Sequence, residues 1–212
     1  RSFNQNVKNW HFYGGLEGFF EFADRSFDWD VGYRYDKSDE NVLTYGLFNL
    51  ANLNNAYGPS ELRNGVPVCV SGPGGDVIPG CVPVNPLGPR GSITQDALDY
   101  TSFTAHDSSM VESKGYTANI SGELFTLPAG PLGFAAGYEY RKESGQFDPD
   151  AFIAAGLSTG NGARPTAGSY SLDEFYLELS VPVLADLPGA QLLDFSLATR
   201  YSDYSNFGDT VN

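Results

Sequence analysis

The chain has 212 residues, and its 26 acidic and 12 basic side chains give it a formal net charge of −14. This charge argues against a protein that binds nucleic acid by neutralising phosphates, because such a protein needs a basic face. Two histidines and two cysteines leave few ligands for a zinc site, a haem site or a histidine-based catalytic dyad. Aromatic residues make up 14% of the chain, alongside 25 glycines and 13 prolines. This composition is typical of strands joined by turns.

Six segments of the chain alternate between apolar and polar residues, which is the pattern of β-strands with one apolar face. The clearest segment has large apolar residues at every second position, namely Phe27, Trp29, Val31, Tyr33 and Tyr35. The alternation predicts strands over residues 10–22, 27–37, 114–126, 132–144, 170–183 and 191–204. The clearest segment matches the length of a bilayer-crossing strand, about 9–11 residues, and exceeds the roughly 5–6 residues usual in soluble sheets.

The predicted connections alternate between short turns and long loops. The long loops are 38–113 and 145–169, and the other links are turns of a few residues. Short turns at one end of a sheet and long loops at the other are typical of outer-membrane β-barrels. Within the first long loop, residues 93–100 are predicted to form a short helix capped by Ser92 or Thr94.

We therefore predict an all-β fold, in which about six strands form a segment of an antiparallel up-and-down transmembrane β-barrel with long extracellular loops and a short helix in one loop. Aromatic residues fall toward the predicted strand ends, as in the girdles of such barrels. Cross-strand aromatic packing in a soluble sheet is the alternative explanation. No segment approaches the roughly 18 consecutive apolar residues of a transmembrane helix.

The ends of the sequence indicate a piece of a longer chain. The sequence has no initiating Met and no signal segment, and it stops directly after a strand-like run. We expect residues 1–212 to be a partial barrel domain, with too few strands to close a barrel by themselves.

The sequence offers little for catalysis or metal binding. It contains none of the common nucleotide-binding, zinc-protease or serine-nucleophile motifs. His11 and His106 lack partners at ligand spacing, and carboxylate pairs such as Asp28 and Asp30 lack the pattern of a calcium loop. We expect no enzymatic activity, no cofactor and no metal.

Cys69 and Cys81 lie in a stretch rich in glycine and proline, with no paired histidine nearby. We predict a disulfide between them, formed in an oxidising compartment and contributing about 3 kcal/mol against opening of the loop. Two buried free thiols or a chance pair of cysteines are the alternatives. The glycine-rich segment 72–76 between the cysteines is expected to be a flexible loop.

Several segments resemble one family of membrane proteins. They are residues 81–88 and 93–100, the strand–turn–strand unit 123–141, and residues 200–208. Together they are similar to the barrel portion of TonB-dependent outer-membrane receptors of Gram-negative bacteria, over essentially the whole chain. The resemblance implies a barrel of about 22 strands with an N-terminal plug. Such a receptor imports a scarce nutrient, namely siderophore-bound iron, a corrinoid or an oligosaccharide, with energy relayed by the TonB complex.

The resemblance also implies partners and a location. The expected partners are outer-membrane lipid, the receptor's own plug domain, the TonB complex acting through that plug, and a small nutrient that the sequence does not identify. Nucleic acid is not an expected partner, and the expected location is the bacterial outer membrane. The sequence departs from complete receptors because it has no plug, no TonB-contacting segment and no barrel-closing strand.

Charged residues on the polar side of the predicted strands are expected to face the lumen and to contact the plug or the passing substrate. They are Arg34, Glu139, Arg141, Glu174, Glu178, Asp194 and Arg200. Cross-strand salt bridging is the alternative role for each of them. Two other functions fit the strand pattern. A passive porin would share every strand, and a soluble secreted β-sandwich that binds carbohydrate would use exposed Tyr and Trp to stack on sugars.

Overall fold

The computed structural model shows an all-β chain whose main element is an antiparallel sheet of seven strands. It describes residues 1–212 except for the side chain at position 190. The strands are β1 (Ser2–Phe22), β2 (Arg25–Phe48), β3 (Ser60–Arg63), β4 (Val66–Cys69), β5 (Ser102–Leu127), β6 (Gly130–Asp148), β7 (Thr166–Leu187), β8 (Ala190–Tyr204) and β9 (Gly208–Val211). The helices are α1 (Leu50–Tyr57), α2 (Gln95–Thr101) and α3 (Ala151–Ala154).

The large sheet has the order β1-β2-β5-β6-β7-β8-β9, and β3 pairs with β4 in a separate two-stranded sheet. Within the large sheet, each strand is therefore hydrogen-bonded to the next one along the chain. The turn from β1 to β2 consists of Ala23 and Asp24, whose φ angles are 52° and 57°. Two consecutive positive φ angles are typical of the two-residue hairpin turn whose twist matches that of its strands.

All six ranges predicted from alternation lie inside strands, but the strands are longer than the alternation indicates. β2 continues to Phe48 and β5 begins at Ser102, so the predicted loop 38–113 is too long, as is the loop 145–169. Both faces of a strand become polar in segments such as 36–41, where alternation stops although the backbone continues to pair. β3, β4 and β9 have four residues each, too few to reveal a period of two.

The chain divides into two compact units. The loop unit consists of residues 1–7, 39–109 and 146–166, and the sheet unit of residues 8–38, 110–145 and 167–212. In the loop unit, Leu47, Ala105 and Ile153 form a buried cluster against which Phe103 and Ala163 pack. This unit therefore has an apolar core of its own.

The sheet unit buries few of its apolar side chains. Leu132 and Leu172 are buried, whereas the rings of Phe175 and Phe195 are 54% and 55% exposed. Within this unit, the described residues form one layer with two uncovered faces.

Candidate functional site

The sheet unit has an apolar face and a polar face, and the residues of β5 show which side chains lie on each. Successive side chains point to opposite sides of a strand, so Tyr116, Ala118 and Ile120 lie on the apolar face and Thr117, Asn119 and Ser121 on the polar face. Contacts across strands keep the faces separate. On the apolar face, the ring centroid of Tyr116 is 4.9 Å from that of Tyr33, and on the polar face Asn119 is hydrogen-bonded to Asp30.

Two rows of aromatic rings cross the apolar face. In the turn-end row, near the short turns, Phe27 lies 5.2 Å from Phe20 and 6.0 Å from Phe134 between ring centroids. The far row contains Phe12, Tyr33, Tyr116 and Tyr140, with successive centroids 6.0, 4.9 and 6.1 Å apart. Along β2, Phe27 and Tyr33 are six residues apart. At about 3.4 Å per residue, the two rows are separated by about 20 Å.

The band between the two rows is free of charge on the described parts of β1, β2, β5 and β6. Its positions are Gly14, Leu16, Gly18, Trp29, Val31, Ala118, Ile120, Ala136 and Tyr138. Gly18 leaves room for the Trp29 indole, since a Cβ there would lie only 3.0 Å from Cζ2 of that ring. The band is thus a continuous apolar surface across four strands.

On the polar face, a chain of hydrogen bonds runs across the sheet. The Tyr176 hydroxyl donates to Oδ1 of Asn119 at 2.9 Å, and Nδ2 of Asn119 donates to Oδ2 of Asp30 at 2.8 Å. We call these three residues the polar chain. It joins β7, β5 and β2, so the Tyr176 side chain must cross β6, which lies between β5 and β7.

Gly137 of β6 makes this crossing possible. A Cβ at this position would lie 2.3 Å from Cε1 of Tyr176 and 2.4 Å from Oδ1 of Asn119. Both distances are far inside van der Waals contact, so any side chain at residue 137 would displace the polar chain. The missing side chain is therefore a structural requirement of the site.

The polar chain continues toward β8 through Arg200. The Arg200 guanidinium lies 5.9 Å from the Tyr176 ring centroid, in a cation–π contact, and its Nη1 is 3.9 Å from Oε1 of Glu174. Ser202 donates a 2.6 Å hydrogen bond to the same Glu174 oxygen. Polar contacts thus connect β2, β5, β7 and β8 on one face.

A groove of about 520 Å³ lies along this face. Its polar lining residues are Glu17, Asp28, Asp30, Asn119, Ser121 and Tyr176. The described lining contains three carboxylates and no cation, so it disfavours an anionic ligand. It offers hydrogen-bond donors and acceptors to a polar ligand or to another protein segment.

The seven residues predicted to line a lumen all lie on the polar face, as the strand alternation requires. These residues are Arg34, Glu139, Arg141, Glu174, Glu178, Asp194 and Arg200. The arginines make ion pairs, at 3.1 Å from Arg34 to Asp36, 3.6 Å from Arg141 to Glu143 and 3.9 Å from Arg200 to Glu174. Their contacts with a plug or a substrate stay predictions.

Sequence reasoning missed the polar chain and the role of Gly137. Asp30 and Asn119 are 89 residues apart in sequence, and Asn119 and Tyr176 are 57 apart. No local spacing indicates such a contact. The available signal was a glycine at a polar-face position within an alternating strand, which indicates close approach of a neighbouring group.

The loop unit contains the predicted disulfide. Cys69 and Cys81 are bonded, with an S–S distance of 2.05 Å, and no described cysteine is free. The segment between them is ordered by backbone pairing rather than flexible as predicted. The N–H of Ile78 donates to Cys69 O at 2.9 Å, and the N–H of Gly75 donates to Gly72 O at 2.8 Å.

The β3–β4 hairpin holds this segment from one side. Its Glu61 carboxylate accepts a hydrogen bond from the N–H of Gly74, and Nη2 of Arg63 donates to Gly75 O at 2.7 Å. The Gly74 N–H, assisted by Arg63, holds the pKa of the Glu61 carboxyl below its ordinary value. Side-chain and backbone bonds together explain why this glycine-rich segment is ordered.

The helices of the loop unit begin at side-chain caps. Thr94, one of the two predicted caps, accepts a hydrogen bond from Ala97 N at 3.3 Å at the start of α2. Asn49 caps α1 and Asp150 caps α3 in the same way. α1 and α3 were not predicted, although an Asn or Asp before a short apolar run was a usable signal.

Replacement of Gly137 by alanine should destabilise the protein by about 1–3 kcal/mol, because the new methyl group overlaps the Tyr176 ring. Gly133→Ala is the matched control on the same strand and face, where a Cβ would meet only Ser180 Cβ, at 3.5 Å. Thermal unfolding of both variants checks this expectation. Equal melting temperatures for the two variants would contradict the assigned role of Gly137.

The hydrogen bond from the Gly74 N–H to the Glu61 carboxylate should weaken in acid. Because the folded-state pKa of Glu61 is depressed, the ionised carboxylate stabilises the turn fully above its unfolded pKa, and this contribution is lost as pH falls through the lower folded value. Hydrogen exchange of peptide 70–77, corrected for intrinsic rates, should therefore accelerate in acid. Glu61→Gln should exchange faster at pH 7 and lose this acid response, while Asp76→Asn should behave like the wild type. If hydrogen exchange in Glu61→Gln accelerated in acid as much as in the wild type, Glu61 would not be the residue that holds this turn.

Comparisons with models of protein families, with curated proteins and with solved structures found no match. Among the described residues, no helix is both long and apolar enough to cross a membrane. The same residues contain no cluster of three or more His, Cys, Asp or Glu side chains placed to hold a metal ion.

Proposed function

We propose that this chain is a sector of the wall of an outer-membrane β-barrel, with its apolar face against lipid and its polar face toward an aqueous lumen. The observation that carries the proposal is the charge-free band between two aromatic rows. Outer-membrane barrels present an apolar band about 25 Å tall, flanked by aromatic girdles. The separation of about 20 Å between the two rows is close to that height.

The exposure of the apolar face supports the same proposal. Tyr116, Phe175, Phe195 and Leu197 are each 51–58% exposed, although they belong to an extended apolar surface. Soluble monomers rarely leave contiguous apolar patches larger than a few hundred Å² uncovered. Lipid removes this cost because the hydrocarbon chains are themselves apolar.

We further propose that the parent protein is a TonB-dependent receptor that actively imports a scarce nutrient. The motifs 123–141 and 200–208 support this proposal by their resemblance to that family. The loop unit would contribute to capture of the nutrient outside the cell, and the polar face would contact the plug domain. The cargo classes are siderophore-bound iron, a corrinoid and an oligosaccharide, and no covalent bond is made or broken during import.

A lysine introduced between the aromatic rows on the apolar face should lower the free energy of unfolding much more than a lysine introduced on the polar face. Ile120→Lys should lower the stability of the full-length protein in vesicles by about 2–4 kcal/mol, because the charge would sit in hydrocarbon. Ser121→Lys, one residue away on the opposite face, should cost far less. Urea unfolding of protein folded into lipid vesicles measures both values. Equal costs, or a parent protein that is soluble and monomeric without detergent, would refute the barrel wall.

Energy dependence separates a receptor from a passive porin. Cells that produce the full-length protein should take up at least one of three radiolabelled probes, namely a ferric siderophore, a corrinoid or a maltooligosaccharide. A protonophore should abolish that uptake, because TonB draws on the energised inner membrane. Protonophore-resistant uptake would favour the porin, and no uptake of any probe above that of cells lacking the protein would contradict import of these cargoes.

A further inference from the structure

The four lysines of the chain lie on one face, two to four residues beyond the far aromatic row. They are Lys8 on β1, Lys37 on β2, Lys114 on β5 and Lys142 on β6. By alternation with Phe12, Tyr33, Tyr116 and Tyr140, every one of them lies on the apolar face. Of the eight arginines, Arg34 and Arg141 lie on the polar face of these strands, and Arg25 lies on the apolar face at the turn end.

The contacts between aromatic rings show where these lysines lie along the strands relative to the far aromatic row. Tyr116 and Tyr140 pack against each other, and Lys114 precedes Tyr116 by two residues while Lys142 follows Tyr140 by two. Because β5 and β6 are antiparallel neighbours, both displacements run in the same direction along the sheet. Phe12 and Tyr33 also pack together, and Lys8 and Lys37 lie four residues beyond them in that direction. The four residues therefore form a lysine row just beyond the far aromatic row.

The surroundings of the lysine row leave positive charge available. Lys8 and Lys142 are exposed, and the Lys114 side chain is 42% exposed while Nζ lies 2.7 Å from Glu112 and 5.7 Å from the Tyr35 ring centroid. In the sheet unit, Glu112 shares this face and pairs with Lys114, whereas the same-face neighbours Trp10 of Lys8 and Tyr140 of Lys142 are uncharged. The row stops at β7, where Asp173 accepts a 2.6 Å hydrogen bond from Tyr138.

We propose that the lysine row binds phosphate groups of lipid head groups at the rim of the apolar band. This inference rests on the proposed function, because it requires the apolar face to be in a membrane. Lysine suits the task, since its long apolar stem lies along rings while its ammonium group reaches the interface. The row crosses four neighbouring strands at about 4.8 Å spacing, so it is about 15 Å wide.

The test compares two triple variants of the full-length protein in neutral detergent. Native mass spectrometry counts bound phosphatidylglycerol and phosphatidylcholine for each. Replacement of Lys8, Lys114 and Lys142 by Gln should weaken phosphatidylglycerol binding about a hundredfold at low salt, at roughly fivefold per lysine. The matched control removes the same charge from the polar face by replacing Arg34, Arg141 and Arg200 with Gln, and it should leave lipid binding unchanged. Replacing the same three lysines with Arg should restore it.

The outcomes separate this inference from the proposal on which it rests. Equal loss in the two Gln variants, or equal affinity of the wild type for both lipids, would overturn the lysine row as a phosphate site while leaving the barrel wall intact. A wild-type protein that retains neither lipid and stays soluble without detergent would overturn the barrel wall itself. If a Lys-to-Gln variant fails to fold, the wild type alone provides the test, because its selectivity for phosphatidylglycerol should fall as salt is raised.

Discussion

The alternation of side chains along paired strands is the constraint on which the rest of this structure depends. Backbone hydrogen bonds hold the strands in one sheet, and the geometry of each strand then sends neighbouring residues to opposite faces. A slip of one residue in β5 would move Ile120 to the polar face and Asn119 to the apolar face. The two faces differ so strongly that the register is specified by chemistry on both sides of the sheet.

Two glycines leave room for large side chains of neighbouring strands to lie over the sheet. On the polar face, the empty position at Gly137 lets the Tyr176 ring reach Asn119 over an intervening strand. On the apolar face, Gly18 makes room for the Trp29 indole. In both places a large aromatic side chain fills the space that its neighbour leaves, so the face stays covered and the strands are tied together. These glycines therefore organise lateral contacts, in addition to any effect on backbone flexibility.

Much of this architecture could be predicted from the sequence, because a period of two is a local signal. The central strands and their two faces were accessible in this way, and the Cys69–Cys81 bond was accessible because the chain has two cysteines, both in one Gly/Pro-rich stretch. The outer parts of β2 were not, since residues 36–41 are polar on both faces and only pairing with neighbours keeps them extended. The polar chain was also inaccessible, because its members meet only after four strands, β2, β5, β6 and β7, have paired in register. The local pattern indicates a close approach at Gly137, but it does not identify the side chain that approaches.

Arginine and lysine lie in different surroundings on most of the sheet unit. In the sheet unit, Arg34, Arg141 and Arg200 lie on the polar face beside carboxylates, where a planar guanidinium suits hydrogen bonding to acids. Lysine is a compact charge on a flexible stem, and it occurs only beyond the far aromatic row. Arg25 is the exception, because alternation with Phe27 places it on the apolar face at the turn end, where it donates a 3.3 Å hydrogen bond to Thr126. On the described parts of β1, β2, β5 and β6, the apolar face thus has cations beyond both aromatic rows and none between them, which fits the proposed membrane position because long cationic side chains reach the interface from the ends of the band.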